Sequence, residues 1–286
     1  MRIFVTGATG FVGSAVVQEL LANGHRVLGL SRSDAGAAQL EQAGADILRG
    51  TIQELDILRR GASEADGVAH LAFNHDFSRF AENIADDTRA IEAIGAALEG
   101  TDRPLIVTSG LALQAAGTIA TESDNPAPHF PRQSEAAAAA SAVRLPPSTH
   151  GKGDHGFVPI LINIAREKGV AAYIGDGQNR WAATHRLDAA QVFRLALERG
   201  AEDGPFHAVA EESIPFRRIA EAIGEGLKLP VVSLAPEEAE AHFGWFATFA
   251  GFDLAASSAR TRALLGWEPS RPALLADMAE NGYFDA

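Results

Sequence analysis

Gly7, Gly10 and Gly13 stand three residues apart between the apolar run Arg2 to Thr6 and a stretch where Val16, Val17, Leu20 and Leu21 recur at helical spacing. Each glycine has its own physical use in such a place. One permits a tight turn, one lets backbone approach a pyrophosphate, and one lets a helix pack closely on a strand. The orphan N–H groups that open the helix, together with its dipole, favour an anion. The chemistry expected of Gly7, Thr9, Gly10, Phe11, Val12 and Gly13 is therefore to hold the phosphates of a dinucleotide. A glycine turn of purely structural use is the competing reading.

Further candidates follow along the chain. Ser31-Arg32-Ser33 ends the next apolar run, where an NAD site needs an acid for the ribose 2′-hydroxyl. A guanidinium there accepts a 2′-phosphate in bidentate fashion, so Ser31 and Arg32 point to NADP (NADPH). The alternative is a solvated Arg32 with Asp34 serving the ribose. Ser109 ends the run Leu105 to Gly110, either at the carboxyl edge of a sheet where ligands sit or in an ordinary Ser-Gly turn. His185 can donate a proton near neutral pH, as can His75, or it can be structural. Asp188 reads as the cap of a helix or a structural hydrogen-bond partner, with direct catalysis as the competing reading.

These residues need elements to position them. Arg2 to Thr6, the helical stretch, Gly24 as a helix terminator and Arg26 to Leu30 form a βαβ unit. Ala45 to Leu48 and Gly67 to Ala72 are further short strands around a helix near Leu55 to Gly61, and Phe157 to Lys168 is again helical. The fold class is α/β: a doubly wound parallel sheet (Rossmann) with a smaller α/β C-terminal substrate lobe. The expected domains are 1–150, binding NADP, with its sheet completed by segments around 182–210, and 151–286, mainly a substrate-binding lobe.

The segment Thr6 to Gly13, TGATGFVG, resembles the fingerprint of short-chain dehydrogenases/reductases of the extended and atypical type, similar to NAD-dependent epimerases and dehydratases. The resemblance implies that the backbone of Leu71, Ala72 and Phe73 lies along the cofactor ribose and that Ser109 is the active-site serine. It also implies that Pro146 and Pro147 meet the nicotinamide, and that the region from Gly175 to Ala190 tops a substrate pocket.

The chain departs from that family in three places. Tyr-x-x-x-Lys is missing, because neither Tyr173 nor Tyr283 is followed four residues on by lysine, and Pro131 to Glu135 lies where the pair should fall. Gly50-Thr51-Ile52 replaces the acid expected after the third strand. Between Glu135 and Arg144 there is too little chain for a crossover helix, which needs about 10–12 residues. Either the helix is abnormally short or residues have been lost around 136–140, and the second reading is preferred; a break in the chain contour would support it and an unbroken chain would sink it.

Composition narrows the function. The chain has 286 residues, 47% hydrophobic and 21% charged, a globular balance. A net charge of −13 without a Lys/Arg run argues against nucleic acid. With no cysteine, disulfides, thiolate catalysis and cysteine-ligated metals are excluded, and no metal site is expected. No stretch suits a signal peptide or a membrane span, so a cytoplasmic protein, monomer or homodimer, acting on a small molecule is expected. His242 to Phe252 is unusually aromatic and reads as a lid over a flat apolar substrate, as an interface, or as core. The leading function is an NADP-dependent oxidoreductase working on a carbonyl or hydroxyl of a small, partly apolar molecule. The alternatives are a non-catalytic NADP-binding sensor and an epimerase or dehydratase of nucleotide sugars.

Overall fold

The computed structural model describes residues 1–76, 79–111, 116–125, 132–137, 141–200 and 202–285. In chain order the first elements are β1 (Arg2–Thr6), α1 (Phe11–Ala22), β2 (Arg26–Ser31), α2 (Asp34–Ala43), β3 (Asp46–Arg49), α3 (Leu55–Ser63), β4 (Gly67–His70), α4 (Phe80–Leu98) and β5 (Leu105–Gly110). They are followed by β6 (Ser141–Leu145), β7 (Ser148–His150), α5 (Phe157–Lys168), β8 (Ala171–Ile174), β9 (Arg180–His185), α6 (Arg186–Arg199), β10 (Phe206–His207) and β11 (Glu211–Pro215). The remainder is α7 (Phe216–Leu227), β12 (Val231–Leu234), α8 (Ala239–Phe243), α9 (Ala247–Gly251), α10 (Ala259–Leu265) and α11 (Leu274–Glu280).

A seven-stranded sheet in the order β10-β6-β5-β4-β1-β2-β3 carries the first half. All its pairings are parallel, with Ile3 opposite both Val27 and Gly67. Parallel strands are buried on both faces, which is why β1 reads as a continuous apolar run rather than an alternating one. Ile3 and Val5 pack on one face with Val16 and Leu20 of α1 and Val192 and Phe193 of α6. Phe4 packs on the other face with Leu58 of α3 and Ile91 and Ile94 of α4. Strand order reverses between β1 and β4, and the crevice at the carboxyl ends there is where a doubly wound sheet takes its ligand.

A second core gathers α5, β8, β9, α7 and the aromatic stretch around Trp181, which is fully buried and stabilises by roughly 2–3 kcal/mol through the apolar area it hides. Of the region around 182–210, β10 lies in the large sheet. β9 pairs instead with β7 and β11 in a three-stranded sheet, because Trp181 and Ala183 are drawn into the second core. Between β5 and β6 the described residues contain no helix; Ser134 to Ala137 form a turn. Residues 138–140, on which the expectation of lost sequence partly falls, lie outside the described residues. Among the described residues no helix is long and apolar enough to cross a membrane.

Candidate active site

The glycine loop at the end of β1 is shaped by backbone contacts that leave no room for side chains. Gly7 has φ of +64°, and a Cβ on it would lie 2.7 Å from the backbone nitrogen of Ala72. A Cβ on Gly13 would stand 2.0 Å from the Gly7 carbonyl oxygen. Gly10, the N-cap of α1, offers no side chain to its first turn, and no acid lies in that turn. The helix N-terminus is thus open to an anion. Thr6 ties this loop to the segment after β4: its hydroxyl meets His70 Nδ1 at 2.9 Å and accepts from the Ala72 N–H at 3.3 Å. Leu71, Ala72 and Phe73 therefore run directly beside the glycine loop. Val12 packs against the first core, and the Thr9 methyl group sits close to Gly36 at the start of α2.

At the β2–β3 end, Ser31 is buried and its hydroxyl donates to the Ser33 carbonyl at 3.0 Å. Ser33 caps α2 by accepting from the Gly36 N–H at 3.1 Å. Arg32 is exposed. A second guanidinium, not foreseen from the sequence, arrives from β3: Arg49 donates to the Ser33 carbonyl and, at 2.7 Å, to the Asp34 carboxylate. Asp34, the alternative ribose acid, is thus already paired with a cation. The available signal was a basic residue closing the third strand immediately before the missing acid.

At the β4–β5–β6 end a buried polar chain organises the floor. His70 Nε2 lies 3.1 Å from one Asp87 oxygen, while Arg132 Nε and the Ser134 hydroxyl donate to the other at 3.1 and 2.7 Å. Burial alone would raise the Asp87 pKa, but these hydrogen bonds and the Arg132 charge outweigh it and hold the carboxyl below the ordinary value. Anchored in this way, Arg132 donates to the Thr108 carbonyl at 3.1 Å and lays its guanidinium 4.0 Å above the Phe73 ring. His75 meets that ring edge-on at 5.3 Å. Loss of solvent, then the charges of Arg132 and His155, push the His75 imidazole down. Ser109 is half-buried, with one long contact of 3.4 Å to the Gly110 carbonyl. Pro146 and Pro147 follow β6, the strand paired beside it.

His185 has a different setting. It is 8% exposed, and its Nδ1 accepts the Leu187 N–H to cap α6. Burial and then neighbouring His150 push its pKa down, as suits a neutral acceptor. Asp188 does not cap that helix, since His185 already does; it sits in the first turn, fully buried, accepting the N–H groups of Ser270 and Arg271 at 3.1 and 3.0 Å. Next to His185 runs the loop 151–156. Tyr283 receives the Gly151 N–H at 3.0 Å and donates to Asp154 at 2.9 Å, and Asp154 receives the Gly156 N–H at 2.7 Å. At the root of the loop, buried His150 and Asp277 meet at 2.8 Å. The loop presents His155 with its ring 5.7 Å from that of Phe11.

Residues 3–108 match the model of the NAD dependent epimerase/dehydratase family. An uncharacterised protein of Schizosaccharomyces pombe is 50% identical, covering 99% of this chain and 100% of its own length. The chain belongs to the NAD-dependent epimerase/dehydratase family. That alignment spans 295 positions, more than the 286 residues present here, so it includes positions without a counterpart in this chain. The 2-alkyl-3-oxoalkanoate reductase of Stenotrophomonas maltophilia is 26% identical over 82% of this chain and 78% of its own. The dTDP-glucose 4,6-dehydratase of Streptomyces venezuelae, whose structure holds NAD, shares the fold with a TM-score of 0.75 at 18% identity, covering 99% of this chain and 96% of that one.

As a member of this NAD(P)-dependent oxidoreductase family, the chain is expected to carry a phenol near the nicotinamide. Tyr173 lies instead on β8 in the second core, with Arg217 5.4 Å above its ring. Tyr283 spends its hydroxyl on Gly151 and Asp154, and burial followed by the Asp154 charge drives its pKa up. The aromatic stretch divides: Phe243 and Phe246 are buried, Phe249 and Phe252 half-buried, and Trp245 is 56% exposed. Phe249 packs 4.9 Å from Phe157, which directly follows the 151–156 loop.

Proposed function

We propose that this protein is an NADP-dependent oxidoreductase that interconverts a carbonyl and a hydroxyl on a small, partly apolar molecule. The observation that carries the reading is the chemical asymmetry along the sheet's carboxyl edge. Arg32 and Arg49 flank Ser33 at one end, while Phe73, His75, Arg132 and His155 gather at the other. Two cations beside a hydroxyl suit a 2′-phosphate, and an acid already neutralised by Arg49 does not oppose it. Bound in the glycine loop, the dinucleotide supplies a hydride to carbonyl carbon. Leu71 to Phe73 line its ribose, Pro146 and Pro147 back its nicotinamide, and the Ser109 hydroxyl donates to the substrate oxygen, where developing charge needs a fixed donor. A partly apolar substrate is in keeping with the reductase among the relatives.

Titration with NADPH and NADH by fluorescence, followed by turnover of aromatic and aliphatic 3-oxo carbonyl compounds, tests this. Tighter NADPH binding with consumption of a carbonyl substrate is the expected result. NADPH binding with no turnover across the panel supports the sensor reading, which the engagement of both tyrosines elsewhere favours. Failure to bind either nucleotide overturns the proposal.

A further inference from the structure

We infer that His155, carried on the 151–156 loop, delivers the proton that the family's tyrosine supplies elsewhere; this rests on the oxidoreductase reading above. The placement is geometric. Phe11 opens α1 next to the phosphate-binding glycines, and the His155 ring packs on its edge at 5.7 Å. On the β4 side His75 and Phe73 form the facing wall, 5.3 Å apart. His155 thus sits against the first residue of α1, close enough to His75 for their charges to interact.

Other imidazoles in this part of the fold are committed or disfavoured. His70 is buried between Thr6 and Asp87, His150 is buried on Asp277, and His185 caps α6. His75 is engaged edge-on with Phe73, whose other neighbour is the Arg132 guanidinium. His155 is exposed, its Nδ1 has a single long contact of 3.4 Å with the Gly153 carbonyl, and its loop is pinned by Tyr283 and, at its root, by Asp277. A donor must be accessible yet held in place, and this residue meets both conditions.

The step balances. As hydride reaches the carbonyl carbon, the C=O π pair passes to oxygen. The oxygen takes the Nε2 proton of the His155 imidazolium, and solvent reprotonates the ring. The charged and titratable groups around it are His75 after β4, Arg132 before β6, Arg186 on α6, Lys152 and Asp154 on its own loop, and Tyr283.

The test compares the full-length wild type with His155→Gln and His75→Gln, using a carbonyl compound that the wild type reduces. For H155Q, NADPH affinity by fluorescence stays within about twofold, while the single-turnover reduction rate falls about a hundredfold or more. Independently of activity, the histidine Cε1–H resonance missing from the H155Q spectrum is the one expected to shift when NADP is added to wild type. H155Q reducing the substrate within about threefold of wild type, or H75Q taking the loss instead, overturns the assignment alone. Wild type that binds NADPH and reduces nothing in the panel overturns the oxidoreductase reading beneath it.

Discussion

The glycine loop and the 151–156 loop meet where the rings of Phe11 and His155 pack, yet they are built by opposite means. Gly7 and Gly13 are fixed by backbone packed so closely that any Cβ collides, and all of their contacts lie within one βαβ unit and the strand next to it. The 151–156 loop is held by side chains: Tyr283 and Asp277 reach it from more than a hundred residues away in sequence. A site made by backbone leaves little latitude in residue type. A site made by a few side-chain hydrogen bonds can exchange its chemistry while the sheet stays as it is.

Five substitutions set the two constructions against each other. Gly13→Val drives a side chain into the Gly7 carbonyl and is expected to abolish measurable NADPH binding and to lower stability by about 2 kcal/mol or more, read by fluorescence titration and urea unfolding. A stable Gly13→Val protein with normal binding would end the claim that backbone closeness defines this half. Arg32→Ala is expected to weaken NADPH roughly tenfold to a hundredfold and leave NADH unchanged, the size of one charge-assisted contact. Arg49→Ala should act in the same direction and also free Asp34, so its NADH affinity should not fall.

The smaller effects concern the second core and the pinned loop. Asp253 accepts from Arg180, and that pairing, against an opposing effect of burial, holds its carboxyl down at about 2. Its folded pKa lies below the unfolded one, so its contribution is full above the ordinary carboxylate range and is lost as pH falls toward about 2. Asp253→Asn should therefore lower the thermal midpoint at pH 7, with the gap from wild type closing between about pH 4 and 2. Tyr283→Phe removes two hydrogen bonds from the loop and should cut turnover about fivefold to tenfold with NADPH affinity intact. If affinity falls and turnover does not, the loop serves the dinucleotide rather than the chemistry.

What could be read in the sequence follows the same division. β1, α1 and β2 were legible because glycine spacing and a helical period are local signals. β5 and α5 agreed with their apolar runs to the residue. The pairing of β9 with β7 and β11 was not legible, because an apolar strand does not state its partner and Trp181 decides that only by joining the second core. Arg49, Arg132, His155 and Tyr283 carried no pattern of their own: each gains meaning from a neighbour that only the folded chain supplies. His185 stood out beside a helix start, and that same location turned its Nδ1 into a cap.

The clasp of Tyr283 on Gly151 bridges 132 positions of sequence, which has a consequence for the order of events on the ribosome. The glycine loop emerges first, and even the late partners of its sheet, α6 and β10, precede Tyr283 in the chain. The 151–156 loop emerges next without the phenol that steadies it, and gains it only when the segment beyond α11 is released. A nascent chain halted before that segment would capture dinucleotide while being poorly able to use it, so nucleotide occupancy would precede chemical competence in the life of each molecule.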